Sequence, residues 1–314
     1  MRYLLSIACY LAILTGSVWA GLELFELDKL TFLAAPVPIV AASLVLLVIQ
    51  RLFAFRDDWR DWSRSLGVDL LHFVFSSGAI SAVAKLSVVT AAWLFASWVE
   101  SALQVALWPD GWPLAVQIVL AVLLADFGSY WIHRWAHDAE WFWKFHSVHH
   151  SSERMYVFAA GRNHPFNVFM TYAGHTLPLA LLGAGAPVLL GVTVFTAVHG
   201  MLQHANINFS LGVFNYVFAG PELHRRHHSV VEEEAYSNFG SNLSVWDLVF
   251  GTLRIPTAEE RTRDVGIPFL DVKRNFFTQL LAPFRYQRHI RISEDCEESS
   301  IDATSKPPTQ EQPA

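Results

Sequence analysis

Five long apolar blocks limit what this chain can become. Residues 4–25, 30–50, 67–108, 112–132 and 166–198 carry very few charges. Each reaches or exceeds the roughly 20 residues that a helix needs to cross a bilayer core. In hydrocarbon no water satisfies the peptide groups, and a helix satisfies them within itself. The composition agrees: 53% of the 314 residues are hydrophobic and 16% charged, which is not the balance of an ordinary soluble protein. The expected fold is all-α, a polytopic bundle of membrane helices.

Basic residues orient such a bundle. ELDKL after the first block is acidic on balance, whereas RLFAFRDDWRDWSRS after the second holds Arg51, Arg56, Arg60 and Arg64. That loop, and the N-terminus with it, is expected to be cytoplasmic. Block 67–108 is too long for one straight span and is interrupted by Lys85. It must make one net crossing if His133 onward is cytoplasmic, a side that Arg134, Lys144, Arg154 and Arg162 favour. WPDGWP reads as a turn, and 166–204, broken by LGAGAP, reads as a helical hairpin that leaves on the side it entered. SVWA before Gly21 has the small residues of a signal cleavage point, but only Arg2 supplies a basic start and further spans follow. The first block therefore reads as a retained anchor. Residues 1–111 are expected to be N-terminal transmembrane helices and 112–292 a second unit. Residues 293–314 form a polar tail without apolar periodicity, expected to be disordered.

The chain has 14 histidines, and they are not scattered. HRWAH places His133 and His137 four apart, about 40° round a helix and on one face. HSVHH places His146, His149 and His150 at i, i+3 and i+4, and HRRHH repeats that spacing at His224, His227 and His228. HGMLQH adds His199 and His204. A lone histidine such as His72, His175 or His289 is ordinarily a polar anchor or a satisfied core residue. Folding asks for no repeated histidine spacing, and titratable groups at membrane depth are expensive without a use. Neutral imidazole is the commonest metal ligand, and two on one helical face can chelate one ion. These rings exceed what one zinc requires and suffice for two metals. Nitrogen donors suit iron, zinc, copper or nickel. The two cysteines, Cys9 and Cys296, are too far apart in sequence to suggest a disulfide framework or a thiolate cluster. A net charge of −6, with an acidic tail and no basic track, argues against a nucleic-acid partner.

HRWAH, HSVHH and then HRRHH resemble the sterol desaturase/fatty acid hydroxylase superfamily of membrane enzymes. So do DFGSYWIHRWAH, HSVHHSSE, GRNHPFN, QHANI and NFGSNLSVWDLVFGT, and the likeness covers residues 121–252. Within that superfamily the flanking sequence looks most like the alkylglycerol monooxygenase and bacterial lipid-hydroxylase branch. The resemblance implies that 112–292 is a fatty acid hydroxylase-like catalytic domain, with a cytoplasmic, histidine-rich di-metal cap holding two iron ions. Its ligands would be His133, His137, His146, His149, His150, His224, His227 and His228, with His204 as the ninth; no catalytic residue is implied beyond them. His164 and His199 become residues behind the ligands or at the substrate. Asp126 and Asp247 could orient ligands or simply hold helices and turns in place. Trp131, Trp135, Trp141 and Trp143 read as an interfacial aromatic belt. The implied reaction is hydroxylation of a membrane lipid (a fatty acyl chain, sterol, isoprenoid or aminolipid) with O2. Electrons would come from a separate ferredoxin or cytochrome/reductase, since no haem or flavin module is recognisable. Desaturation could use the same centre.

Two other classes are weaker. A membrane zinc hydrolase would want a glutamate beside its histidines, as in H-E-x-x-H, and here Arg134 and Arg225 stand in that place. A metal transporter would spread histidines along the membrane depth rather than gather them at one end. A bacterial cytoplasmic membrane is the expected location, with endoplasmic reticulum as the alternative.

Overall fold

The computed structural model describes residues 2–84, 87, 90–104, 106–267 and 275–285. Lys85, His289, Cys296 and the tail 293–314 lie outside the described residues. The chain opens with α1 (Arg2–Glu26) and α2 (Pro36–Leu52). Then come α3 (Ser63–Leu71), a π-helical stretch (His72–Ile80), the single turn α4 (Ser81–Ala84) and α5 (Thr90–Leu103). The long α6 (Leu114–Asp138) is followed after one residue by α7 (Glu140–His150). α8 (Pro165–Leu181) and α9 (Ala186–His204) make the hairpin. The rest is short: α10 (Pro221–His227), α11 (Glu232–Ala235), α12 (Val245–Val249) and a helical stretch over 276–285. Among the described residues β pairing is limited to three isolated bridges. The fold is the expected all-α one.

Local chemistry sets the helix ends. Proline occupies the first turn of α2, α8, α9 and α10, where its missing N–H has no partner to lose. α8 stops where Gly183 takes φ +79°, a left-handed value that glycine adopts without strain, so α9 can fold back. Four segments are long and apolar enough to cross a bilayer: Leu4–Glu26, Lys29–Leu52, Leu114–Asp138 and Ala186–His204. Leu4, Trp19, Leu44, Val48 and Val119 stand exposed along them, an apolar surface suited to lipid rather than water. The inner faces pack instead. Tyr10 and Leu14 of α1 meet Val194, Val198 and Leu202 of α9, while Ile118 and Val122 of α6 meet Val188 and Val192. α6 and α8 touch backbone to backbone at Gly128 and Gly174, where a Cβ on Gly128 would overlap the Gly174 carbonyl.

Block 67–108, too long for one straight span, is divided among its described residues into the end of α3, the π-helical stretch, α4 and α5. One expected boundary changes. The block 112–132 does not stop at Ile132. Nothing in IHRWAHD breaks a helix, so α6 runs on to Asp138 and carries the first histidine pair on the spanning helix itself.

Candidate metal centre

Histidines sit in the last turn of four helices. His137 ends α6, His149 and His150 end α7, His204 ends α9, and His224 and His227 end α10. Ala139 serves as the C-cap of α6 and the N-cap of α7, which turns the second histidine motif back toward the first. The nine rings form two groups, one of His133, His137, His146, His150 and His227, the other of His149, His204, His224 and His228. Within each group the candidate ligand nitrogens lie within 4.8 Å of one another. The groups abut, for His150 of one and His228 of the other stack with ring centroids 4.3 Å apart.

The partition follows helix geometry. In HSVHH the pair His146 and His150 goes to the first group and His149 to the second. In HRRHH the pair His224 and His228 goes to the second and His227 to the first. Residues i and i+4 differ by about 40° round the axis, whereas i+3 falls on the other side of i. Each motif thus presents two rings to one group and one ring to its neighbour.

Hydrogen bonds set the tautomers. Nδ1 of His133 lies 2.8 Å from the Phe239 carbonyl, and Nδ1 of His149 lies 3.0 Å from that of Arg162. Nδ1 of His204 lies 2.8 Å from the Gly200 carbonyl, and that of His227 lies 2.8 Å from Ser237. A carbonyl only accepts, so these nitrogens donate, and each ring keeps a bare lone pair on Nε2. The Nε2 atoms of His133 and His146 are 3.1 Å apart, and those of His204 and His224 are 3.2 Å apart. Nε2 of His137 and of His227 is buried with no hydrogen-bond partner. An unpartnered buried acceptor costs about 1–3 kcal/mol, and a cation among these lone pairs removes the penalty.

The surroundings fit that cation. Burial holds His146, His149, His150, His224, His227 and His228 well below the ordinary histidine range, so their rings are neutral near pH 7. Among the described residues no carboxylate or thiolate joins either group. Negative potential comes instead from the C-terminal ends of α6, α7, α9 and α10, where peptide dipoles sum to roughly half a negative charge per helix. The residues present fit two nitrogen-ligated metal ions.

Asp247 is fully buried and stands one step behind the first group. Its carboxylate accepts from the backbone N–H of Phe239 at 2.7 Å and of Gly240 at 2.8 Å, and from the Thr252 hydroxyl at 2.6 Å. It thereby fixes the carbonyl that holds His133. The loop wraps the carboxylate so closely that a Cβ on Gly240 would press on it, and Asn238 takes φ +57°, a value asparagine tolerates. Burial pushes the Asp247 pKa up while these hydrogen bonds pull it down. Asp126 bonds no histidine of either group. It accepts from the backbone of Asn242 at 2.6 Å and of Leu243 at 3.1 Å, docking the same loop on α6.

His164 and His199 stand outside both groups. His164 caps α8, accepting from the Phe166 N–H at 3.1 Å and donating to the Leu280 carbonyl at 3.2 Å; burial lowers its pKa to about 4. His199 pairs with the Tyr10 hydroxyl at 2.6 Å between α9 and α1. His175 lies 3.0 Å from the Thr171 carbonyl, and His72 is buried against Gln279 and Ser76. Trp131, Trp135 and Trp141 are exposed, as in a belt. Trp143 differs, packing on the rings of His137, His146 and His150. The supports that sequence reasoning did not single out are Arg162 and Asn167, whose side-chain oxygen lies 3.2 Å from Nδ1 of His146. Both lie in GRNHPFN, but a backbone carbonyl acting on a ring leaves no residue-type signal.

The site belongs to a polytopic membrane protein with two adjoining, histidine-only donor sets. Comparison with known proteins completes the assignment. The sequence model of the fatty acid hydroxylase family matches residues 118–252. The ornithine lipid hydroxylase OlsE of Rhizobium tropici is 35% identical over 246 residues, covering 76% of this chain and 72% of that protein. Human alkylglycerol monooxygenase is 32% identical over 133 residues, 42% of this chain and 29% of that protein. Methylsterol monooxygenase 1-3 of Arabidopsis thaliana is 28% identical over 153 residues, 46% and 50% of the two chains. No solved structure matches significantly. The chain belongs to the sterol desaturase/fatty acid hydroxylase superfamily and is an oxidoreductase.

Proposed function

We propose that this protein is a di-iron lipid hydroxylase, with one iron held in each histidine group. The observation that carries the reading is the division of nine buried or half-buried histidines into two abutting sets of neutral donors. When bound, the two irons would supply activation of O2 with two external electrons and insertion of one oxygen atom into a C–H bond. His133, His137, His146, His150 and His227 hold one ion, and His149, His204, His224 and His228 the other. Donation from Nδ1 to fixed carbonyls keeps Nε2 aimed inward before any metal arrives, so little reorganisation accompanies binding. Burial of the rings and the packing of Trp143 exclude water. The histidines sit at one end of α6 and α9, where a lipid brings a bond sideways out of the bilayer. That end is cytoplasmic, the membrane a bacterial inner membrane, 112–292 the catalytic unit, and the electron donor a separate ferredoxin or cytochrome/reductase.

Among substrate classes an acylated aminolipid is favoured. The relative matched over 72% of its own length is an ornithine lipid hydroxylase, whereas human alkylglycerol monooxygenase is matched over 29%. The test combines metal content and product. Purified wild-type protein should hold two irons after anaerobic loading, and His149→Ala and His227→Ala, one from each group, should each lose metal. Lipids of a host that makes ornithine lipid should gain one oxygen with wild type and not with either variant. Loss of two hydrogens would establish a desaturase instead. A wild type without stoichiometric metal would refute the centre.

A further inference from the structure

Behind the first histidine group stands a buried carboxylate, Asp247, acting through a backbone carbonyl. The second group has a counterpart, in a part of the chain that the family match at 118–252 does not reach. Asp69 of α3 is fully buried. Its two oxygens accept from Arg162 Nε at 2.5 Å and Nη2 at 3.0 Å, and the Tyr156 hydroxyl donates to the second oxygen. Trp62 stacks on Tyr156, with ring centroids 5.5 Å apart and planes 4° from parallel. Arg162 is 3% exposed. Its guanidinium also donates to the carbonyl of Ser151, the residue that ends α7, at 3.2 Å. Its own carbonyl accepts from Nδ1 of His149 at 3.0 Å. Arg162 therefore grips the end of α7 twice, once through backbone and once through the ring.

We propose that Asp69 is a positioning residue for the second metal, acting through Arg162 to fix the ring of His149. The proposal rests on the two-metal reading above and concerns only one of its two sites. Buried charge gives the arrangement its force. A bidentate arginine–carboxylate pair has one preferred geometry, and an arginine left buried without its partner cannot keep its place. Two other rings of this group are held differently: His204 donates to Gly200 within its own helix, and Nδ1 of His228 is buried with no hydrogen-bond partner.

The experiment is an anaerobic titration of detergent-purified, metal-free full-length protein with ferrous iron against a competing chelator, with thermal unfolding in parallel. Wild type should bind two equivalents. Asp69→Asn should bind one equivalent as wild type does and the other about 10–100-fold more weakly, the usual cost of losing an outer support of a ligand. Asp69→Glu should recover part of the loss, and Asp247→Asn should weaken one equivalent while leaving Asp69 variants additive with it. A folded Asp69→Asn that binds both irons as wild type, or loses both equally, overturns the positioning role. Wild type that fails to bind two equivalents overturns the two-metal reading and the proposal together, a different result from an unaffected variant. If Asp69→Asn does not fold, the double variant Asp69→Asn, Arg162→Gln buries no unpaired charge and is read by the same criteria.

Discussion

Replacing Asp247 separates two roles that its geometry predicts. The carboxylate takes the N–H of Phe239 at 2.7 Å and of Gly240 at 2.8 Å, and it is fully buried, so water cannot replace it. Asp247→Ala leaves both backbone donors orphaned, while the Thr252 hydroxyl keeps Tyr130 as a partner; at about 1–3 kcal/mol each the loss is about 2–6 kcal/mol. Asp247→Asn keeps one oxygen and turns the other into a donor that faces a donor. One N–H loses its acceptor, and the loss is about 1–3 kcal/mol. The second effect reaches the metal. Phe239 is the residue whose carbonyl holds His133, so both variants should weaken binding in the first group by roughly 10–100-fold. Chemical denaturation of the metal-free protein in detergent reads the first effect, and iron titration of the folded variants reads the second. Equal destabilisation by asparagine and alanine would show that the hydrogen bonds are not the source. Normal iron binding in a variant that has lost stability would show that the Phe239 carbonyl does not need its anchor.

Two further outcomes follow from burial and packing. The six cap histidines titrate well below the ordinary value of 6.5 when folded and near it when unfolded, so only the unfolded chain takes up protons as the pH drops through 6.5. Metal-free protein should hold its full histidine-linked stability above that pH and lose it progressively on acidification; a melting temperature flat from pH 8 to about 5 would contradict the neutral-ring assignment. Gly128→Ala places a methyl group against the Gly174 carbonyl, and the forced separation of α6 from α8 should cost about 1–3 kcal/mol in thermal stability, whereas Gly16→Ala, with open space around it, should cost little.

The sequence alone determined the class of fold, because blocks of some 20 apolar residues have few alternatives to membrane helices. It also singled out the histidines expected to hold metal. His133, His137, His146, His149, His150, His224, His227 and His228 were legible because imidazoles at i, i+3 and i+4 serve no ordinary packing purpose, and His204 through the resemblance of QHANI. Family resemblance supplied the chemistry that spacing left open. The division of those nine into two groups was decided only by the tertiary structure. HRWAH gives both rings to one group while HSVHH and HRRHH each face both, and which ring meets which neighbour depends on how α6, α7, α9 and α10 cross. The supports were equally hidden. Asp126 and Asp247 drew notice as acids beside the motifs, yet one docks a loop and the other holds a carbonyl. His164 and His199 share the residue type of the proposed ligands but point to a helix cap and to Tyr10. Asp69 lies 80 residues before His149 in sequence and reaches it through Arg162. A local pattern can announce donors that share one helix face; it cannot announce partners that folding brings from elsewhere, since backbone carbonyls look alike in every sequence.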